Sequence, residues 1–515
     1  MQAFNAPFIF KKMSFKFSEE ESFMREYKRH IKTALLIFLI SLSFVLVVRL
    51  WSINSYFGTG FTNVMTEMTD SAFSPVLRLF KKLGNDRASQ SLEYILRPKR
   101  IIINSADKRS IINTHDENYL KFYRLGQEII SQVESGSIKI VSSENVSKEE
   151  YYSALKSKSM LVDYENKYSS EIFSMINGGK TSNKFLDSNS IVSEYILNIS
   201  DNVLNYSSLY IMDYNTEAAK KITLEMDKTE MNNIMEKHFS EQSSSDIPFY
   251  SFELNFHTGV NTDGTPAKVV FNPFTTIRLV SEEKHGIISH APDTDYDILE
   301  KELLKKFNIN VMSAGKYTDI DGSKNYVEKN ANLKLSSEGY IEYISTDGSH
   351  GIEIIDKTDN KAITPNEALS ASSEFLFEIS NLIHGLDDVS VRLSGDVAET
   401  ISSGNYEICF DYYIQGMPIF QSDTTTQSPS NAVIIKVENG YLKYYKQYIR
   451  TYEIAQEKEI QKTIITAADE LVSKMSDEIS QVKISKAYDC FVDSGQKELF
   501  PDWVFEIDGY TGLYK

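Results

Sequence analysis

The feature that most constrains this chain is an uncharged run near its start, TALLIFLISLSFVLVV from Thr33 to Val48, followed by Arg49, Leu50 and Trp51. From Thr33 to Trp51 a helix rising 1.5 Å per residue spans about 28 Å, close to the hydrocarbon thickness of a bilayer. Arg49 falls in the last turn, where its stem can snorkel to the interface, and Trp51, Tyr56 and Phe57 suit the aromatic belt there. Before the run stand Lys11, Lys12, Lys16, Arg25, Lys28, Arg29 and Lys32, whereas no Lys or Arg follows Arg49 until Arg78. The positive-inside rule then sets the N-terminus in the cytoplasm and the bulk of the chain outside it. A cleaved leader would end in a small-residue site, and Arg49-Leu50-Trp51-Ser52 is not one. The expectation is a retained single-pass anchor, with Lys28, Arg29, Lys32, Arg49 and Trp51 as its interface residues.

Composition narrows what the rest can do. The chain has 54 basic and 72 acidic residues, a net charge of −18. Without the tail before Thr33 the balance is about −21. Such a surface repels nucleic acid and offers no basic stripe for it. No second apolar run approaches membrane length. The two cysteines, Cys409 and Cys490, each lie in a strand-like run. They could pair outside the membrane or remain two separate buried residues.

Periodicity divides the chain into a cytoplasmic tail (1–32), a membrane helix (33–51), a membrane-proximal linker (52–90), a first α+β domain (91–197), a central β-rich domain (198–295) and a C-terminal domain (296–515). The fold class expected is α+β with antiparallel sheets. In the first domain Ile101 to Ile103 predict a strand, Glu117 to Val133 a helix with apolar steps of three and four, Ser147 a capped helix start, and SMLVDY (Ser159 to Tyr164) a buried strand. In the central part LYIMDY, KKITLEM, FYSFELNF and VVFNPFTTIRLV predict strands, interrupted by a helix from Lys228 to Phe239, and the polar stretch Ser281 to Asp297 predicts a boundary. Further on, Tyr296 to Phe307 predicts a helix and Asn330 to Ser345 a hairpin turning at Gly339. Two later units then look alike. Each is a Thr-capped helix, beginning near Thr364 and near Thr466, that leads into antiparallel strands.

The usual chemistries leave no catalytic signature and imply no cofactor. His285 and His290, with Asp293, Asp295 and Asp297 beyond, have no recognised zinc spacing, and a calcium loop fails because Ile298 and Leu304 stand where Gly and Glu are needed. Gly178-Gly179-Lys180-Thr181 lacks the first glycine of a P-loop, and Ser153-x-x-Lys156 has no companion motifs. An unrecognised envelope enzyme would first be sought at His285, His290 and the nearby aspartates.

The segment GSKNYVEKNANLKLSSEGYIEY (Gly322 to Tyr343), with LRPKRIIIN, ENYLKFYRLGQEI and PDWVFEIDG, resembles the YycH/YycI regulatory proteins of low-GC Gram-positive bacteria. The units at Thr364 and Thr466 resemble PepSY-type modules. The resemblance implies a non-enzymatic, membrane-anchored accessory regulator of the sensor histidine kinase that controls cell-wall metabolism. It implies contact through membrane helices and, as a further partner, a sister protein of the same kind. On the span, Ala34, Ser41, Val45 and Val48 would share a face on which small and hydroxyl residues permit close helix approach. The PepSY likeness implies an alternative: binding or restraint of an extracellular hydrolase or protease.

Overall fold

The computed structural model describes residues 95–514 apart from 106–107, 178–184, 188, 200–204, 215, 217, 242–247, 262, 280–282, 291–295, 347–350, 356–362, 384–388, 396–404, 423–428, 461, 476–480 and 511–512. All of these belong to one compact unit, Phe73–Lys515. The anchor expected over 33–51, its partner face Ala34, Ser41, Val45 and Val48, its interface residues Lys28, Arg29, Lys32, Arg49 and Trp51, and the 52–90 linker lie outside the described residues. Among the described residues no helix is long and apolar enough to cross a membrane.

The class is α+β with largely antiparallel sheets. Strands β1 (Arg100–Ser105), β2 (Lys108–Asn113), β3 (Lys139–Val146), β4 (Ser159–Ser169), β5 (Ile191–Asn198), β6 (Tyr206–Asp213) and β7 (Ala218–Glu225) form one sheet in the order β2-β1-β4-β5-β6-β7-β3. Its strands alternate between two cores. Ile101 and Ile103 face the larger one, under helix α1 (Tyr119–Ser135), whose Phe122, Tyr123, Ile130 and Val133 are buried. Ile102, Leu161, Ile196 and Tyr210 face a smaller core with Tyr151 and Leu155 of helix α2 (Lys148–Lys156). As its sequence predicts, α2 starts at Ser147, whose hydroxyl accepts from the Glu150 N–H. Helices α3 (Ser170–Ile176) and α4 (Thr229–Glu241) complete this half. The sheet runs through the 197/198 division expected from the sequence, because β5 pairs with β6 from Tyr195↔Ile211 to Asn198↔Ser208.

The central segment departs most from expectation. FYSFELNF holds a strand only at β8 (Phe249–Tyr250) and then turns, with Asn255 at φ 60°. VVFNPFTTIRLV splits into β9 (Val269–Phe271) and β10 (Thr276–Ile277) around Asn272-Pro273, where proline has no N–H for a ladder. The polar stretch expected as a boundary is instead strand β11 (Glu283–His290), followed by helix α5 (Tyr296–Lys306).

The remaining elements are β12 (Gly315–Thr318), β13 (Lys324–Val327), β14 (Ala331–Leu335), β15 (Tyr340–Ser345), β16 (Ile352–Glu353), helix α6 (Pro365–Ser380), β17 (Ser390–Ser394), β18 (Asn405–Ile414), β19 (Met417–Ser422), β20 (Pro429–Ser430), β21 (Val433–Glu438), β22 (Tyr441–Tyr448), β23 (Thr451–Ile460), helix α7 (Ile464–Lys474), β24 (Val482–Asp493), β25 (Glu498–Leu499), β26 (Asp502–Ile507) and β27 (Leu513–Tyr514). Most join one large sheet along β12-β13-β14-β15-β22-β21-β18-β19-β24-β26-β27, and β23, β11 and β25 form a smaller one. The β14–β15 hairpin turns at Gly339, φ 83°, where a glycine meets no Cβ penalty. Thr364 caps α6 in a full capping box with Glu367. The second unit's cap is Thr463, not Thr466: the Thr463 hydroxyl accepts from the Thr466 N–H, so α7 begins one turn earlier than its apolar pattern suggests. Cys409 and Cys490 are both free thiols, on β18 and β24.

Candidate functional site

A cleft of about 1410 Å³ opens where three parts of the fold meet. One wall is the end of the first sheet, with Lys99, Arg100, Asp163, Glu165 and Lys167. The second is the loop after β9, with Asn272, Phe274, Thr275 and Thr276. The third comprises the β18–β19 turn, the start of α7 and the strands β24 and β26.

Strand register places the charges of the first wall. Arg100 on β1 stands opposite Asp163 on β4, and Asp163 stands opposite Glu194 on β5. Arg100 Nε donates to Asp163 Oδ2 at 2.7 Å, and its Nη1 donates to Thr276 Oγ1 at 2.5 Å, tying the first wall to the second. One guanidinium thus faces two neighbouring carboxyls. Burial, reinforced by the Asp163 charge, pushes the Glu194 carboxyl up to about 8, against hydrogen bonds that include one from the Tyr151 hydroxyl at 2.9 Å. Burial thus favours the protonated form of the Glu194 carboxyl.

Beyond Asp163 the β4–β5 register breaks, and residues 164–167 bulge before pairing resumes at Tyr168↔Val192. Bulges re-aim side chains, and here Glu165 and Lys167 reach the cleft wall while Tyr164 stays in the core. Glu165 sits at φ 67°, a left-handed conformation that a non-glycine residue adopts at some cost. It is held by an ion pair with Lys99 and by its own N–H donating to Asp163 Oδ1 at 2.9 Å. Asn166, also on the bulge, is buried and donates to the Leu393 carbonyl of β17 at 2.8 Å. Lys99 in turn lies 5.0 Å from the Tyr488 ring centroid on β24. The bulge is thus where the first sheet docks on the second.

On the third wall Trp503 Nε1 donates to the Lys462 carbonyl at 2.8 Å, which fixes the indole beside the start of α7. At the turn, Gly416 (φ 78°) packs so closely on His115 that a Cβ there would lie 2.8 Å from His115 Nδ1.

Of the residues singled out by sequence, His285 lines the cleft. His290, on the same strand, lies 3.7 Å from Glu453. Five residues apart on a strand, the two imidazoles are separated by about 16 Å and do not converge. Asp293 and Asp295 and the Gly178–Thr181 segment lie outside the described residues. Ser153 and Lys156 are exposed on α2. Among the described residues no three His, Cys, Asp or Glu side chains are grouped to hold a metal ion. Sequence reasoning passed over Asp163 and Glu194. The available signal was an acid inside each of two mostly apolar strands, SMLVDY and IVSEYILN.

No family model matches this chain, and no curated protein matches it. Among solved structures it is similar to YycH from Bacillus subtilis, with a TM-score of 0.51 over 82% of this chain and 96% of that one, at 10% sequence identity. At that identity the likeness is one of fold, and the fold is YycH-like.

Proposed function

We propose that this chain is a membrane-anchored, extracytoplasmic and non-enzymatic regulator of a sensor histidine kinase that controls cell-wall metabolism. The observation that supports this best is the YycH-like fold, which accounts for nearly the whole of the YycH chain. The sequence adds the basic-flanked apolar run from Thr33 to Trp51 that would anchor it, N-terminus inward. In this reading the face Ala34, Ser41, Val45 and Val48 packs against membrane helices of the kinase, alone or beside a sister protein of the same kind. The outer domains bias that packing. Regulation then requires a difference in binding free energy between the two states of the kinase.

The test is a crosslinking pull-down from native membranes, with the wild type beside a chain whose residues 33–51 are replaced by an unrelated span. Recovery of a histidine kinase with the wild type alone is the expected result. Recovery of it with both would move the contact to the outer domains. A second reading, PepSY-type restraint of a secreted hydrolase, draws on the two capped helix-then-strand units at α6 and α7. It predicts recovery of a hydrolase with both chains.

A further inference from the structure

We infer that Arg392 is the receptor for the carboxylate group of a small ligand, at a place that the regulatory reading does not use. Arg392 lies on β17, whose Val391 and Leu393 turn into the larger core. Its own side chain turns to the opposite face and is only 7% exposed. Two other arginines on strands show how this fold treats a half-buried guanidinium. Arg100 binds Asp163 and Thr276, and Arg109 binds Glu253, the Asn104 side chain and the Pro248 carbonyl. Arg392 has no such company. Its guanidinium lies over the Tyr413 ring, 4.6 Å from the centroid, and among the described residues it meets no hydrogen-bond acceptor. Its Nη1 is shut off from solvent as well. Asp411 stands opposite Arg392 in the β17–β18 register, yet the two form no ion pair. The Asp411 oxygens accept instead from Asn431 Nδ2, at 3.1 and 3.2 Å, and from the Ala432 N–H at 3.2 Å.

A buried charge without a counterion destabilises a fold, and a guanidinium cannot relieve its burial by giving up the proton. Local rules of this kind are broken where function needs it, and here the missing element is one negative charge. The planar fork of an arginine fits a carboxylate or a phosphate through two parallel hydrogen bonds. The surroundings choose between them. Burial pushes the Tyr413 hydroxyl well up, and the Glu165 and Asp411 charges push it further. Two carboxyls therefore already stand around the ring on which Arg392 lies. A phosphate dianion would add a second negative charge beside them, whereas a carboxylate brings one, which the guanidinium offsets. With so little of Arg392 exposed, that carboxylate is carried by a slender group.

The full chain in nanodiscs tests this, by saturation-transfer NMR of acetate and by thermal unfolding in acetate, chloride or phosphate at one ionic strength. Acetate is expected to bind saturably and to raise the unfolding midpoint above that in chloride, with phosphate doing less. Arg392→Met keeps the length of the side chain without its charge. It should weaken acetate binding at least about ten-fold and, in chloride, unfold at or above the wild-type temperature, because the uncompensated charge is gone. Arg392→Lys keeps the charge but not the fork, and should weaken acetate binding by less than the methionine does. Absence of saturable acetate binding to the wild type, undiminished binding to Arg392→Met, or tighter binding of phosphate than of acetate would each overturn the assignment. So would a lower chloride midpoint for Arg392→Met together with equal wild-type midpoints in acetate and chloride, the mark of a guanidinium that serves the fold alone. Binding is read on this chain alone, so it stands or falls independently of whether a kinase is captured.

Discussion

Asp163 and Glu194 face each other across β4 and β5 as two buried carboxyls, and Arg100, on the other flank of Asp163, hydrogen-bonds to Asp163. The arrangement leaves Glu194 as the group that keeps a proton, at about 8 against an ordinary value of 4.5. Between those two pH values the folded chain holds a proton that the unfolded chain has released. Stability from this group is therefore fully present below pH 4.5 and declines as pH rises towards 8. Glu194→Gln keeps a hydrogen-bonding group at the site without the charge. It is expected to flatten that decline and to raise stability at pH 8 by on the order of 1–3 kcal/mol, read from melting curves of the full chain at a series of pH values. A parallel decline in wild type and variant would mean that another group sets the pH dependence.

Gly126 in α1 illustrates how packing overrides propensity. An alanine in mid-helix ordinarily gains about 1 kcal/mol over glycine. Here a Cβ would overlap the Tyr195 hydroxyl of β5. Gly126→Ala is expected to destabilise by about 1–3 kcal/mol. The Tyr195 hydroxyl is buried and lacks a hydrogen-bond partner among the described residues, so Tyr195→Phe alone should cost little. The double variant should then recover at least half of the loss in urea unfolding. Additive effects would place the strain elsewhere than between these two residues.

What the sequence made legible was local. Helix α1 was visible from Leu120, Tyr123, Ile129 and Val133, the α6 start from Thr364 and Glu367, and the β14–β15 turn from Gly339, because each signal lies within a few residues of what it specifies. Strand β11 was not visible. Its sequence EKHGIISH is polar along most of its length, and it is a strand because β23 pairs with it on one side and β25 on the other, both far along the chain. The candidate site was hidden for the same reason. Arg100, Asp163, Glu194, Thr276 and Trp503 come together only through sheet register and the docking of one sheet on another.

The two capped helices give a prediction that separates pattern from structure. The apolar pattern puts the second cap at Thr466, whereas the hydrogen bond puts it at Thr463. Losing a Thr cap costs about 1 kcal/mol. Thr364→Ala and Thr463→Ala should each cost that much in urea unfolding, and Thr466→Ala only a few tenths. A larger loss at Thr466 than at Thr463 would restore the helix start read from the sequence.

Asn166 joins the bulge of β4 to β17 of the second sheet, buried and donating to the Leu393 carbonyl. Asn166→Ala leaves that carbonyl without this donor and should cost about 1–3 kcal/mol. Asn166→Asp is nearly the same size but turns an acceptor towards an acceptor, beside the Glu165 carboxylate on the same bulge, whose charge adds to the burial that pushes the Asp411 carboxyl of β18 up to about 6. The aspartate variant should therefore be the less stable of the two at pH 7 and should recover towards the alanine variant as the pH falls and the new carboxyl is protonated. Hydrogen exchange adds a spatial readout. If the bulge fastens the two sheets together, both variants speed exchange at Ser390–Ser394 and at 164–167, while the interior of the first sheet at Leu209 and Ile211 stays protected. Faster exchange spread evenly over the first sheet would instead make Asn166 a part of that sheet's own core and leave the docking of the two sheets to other contacts.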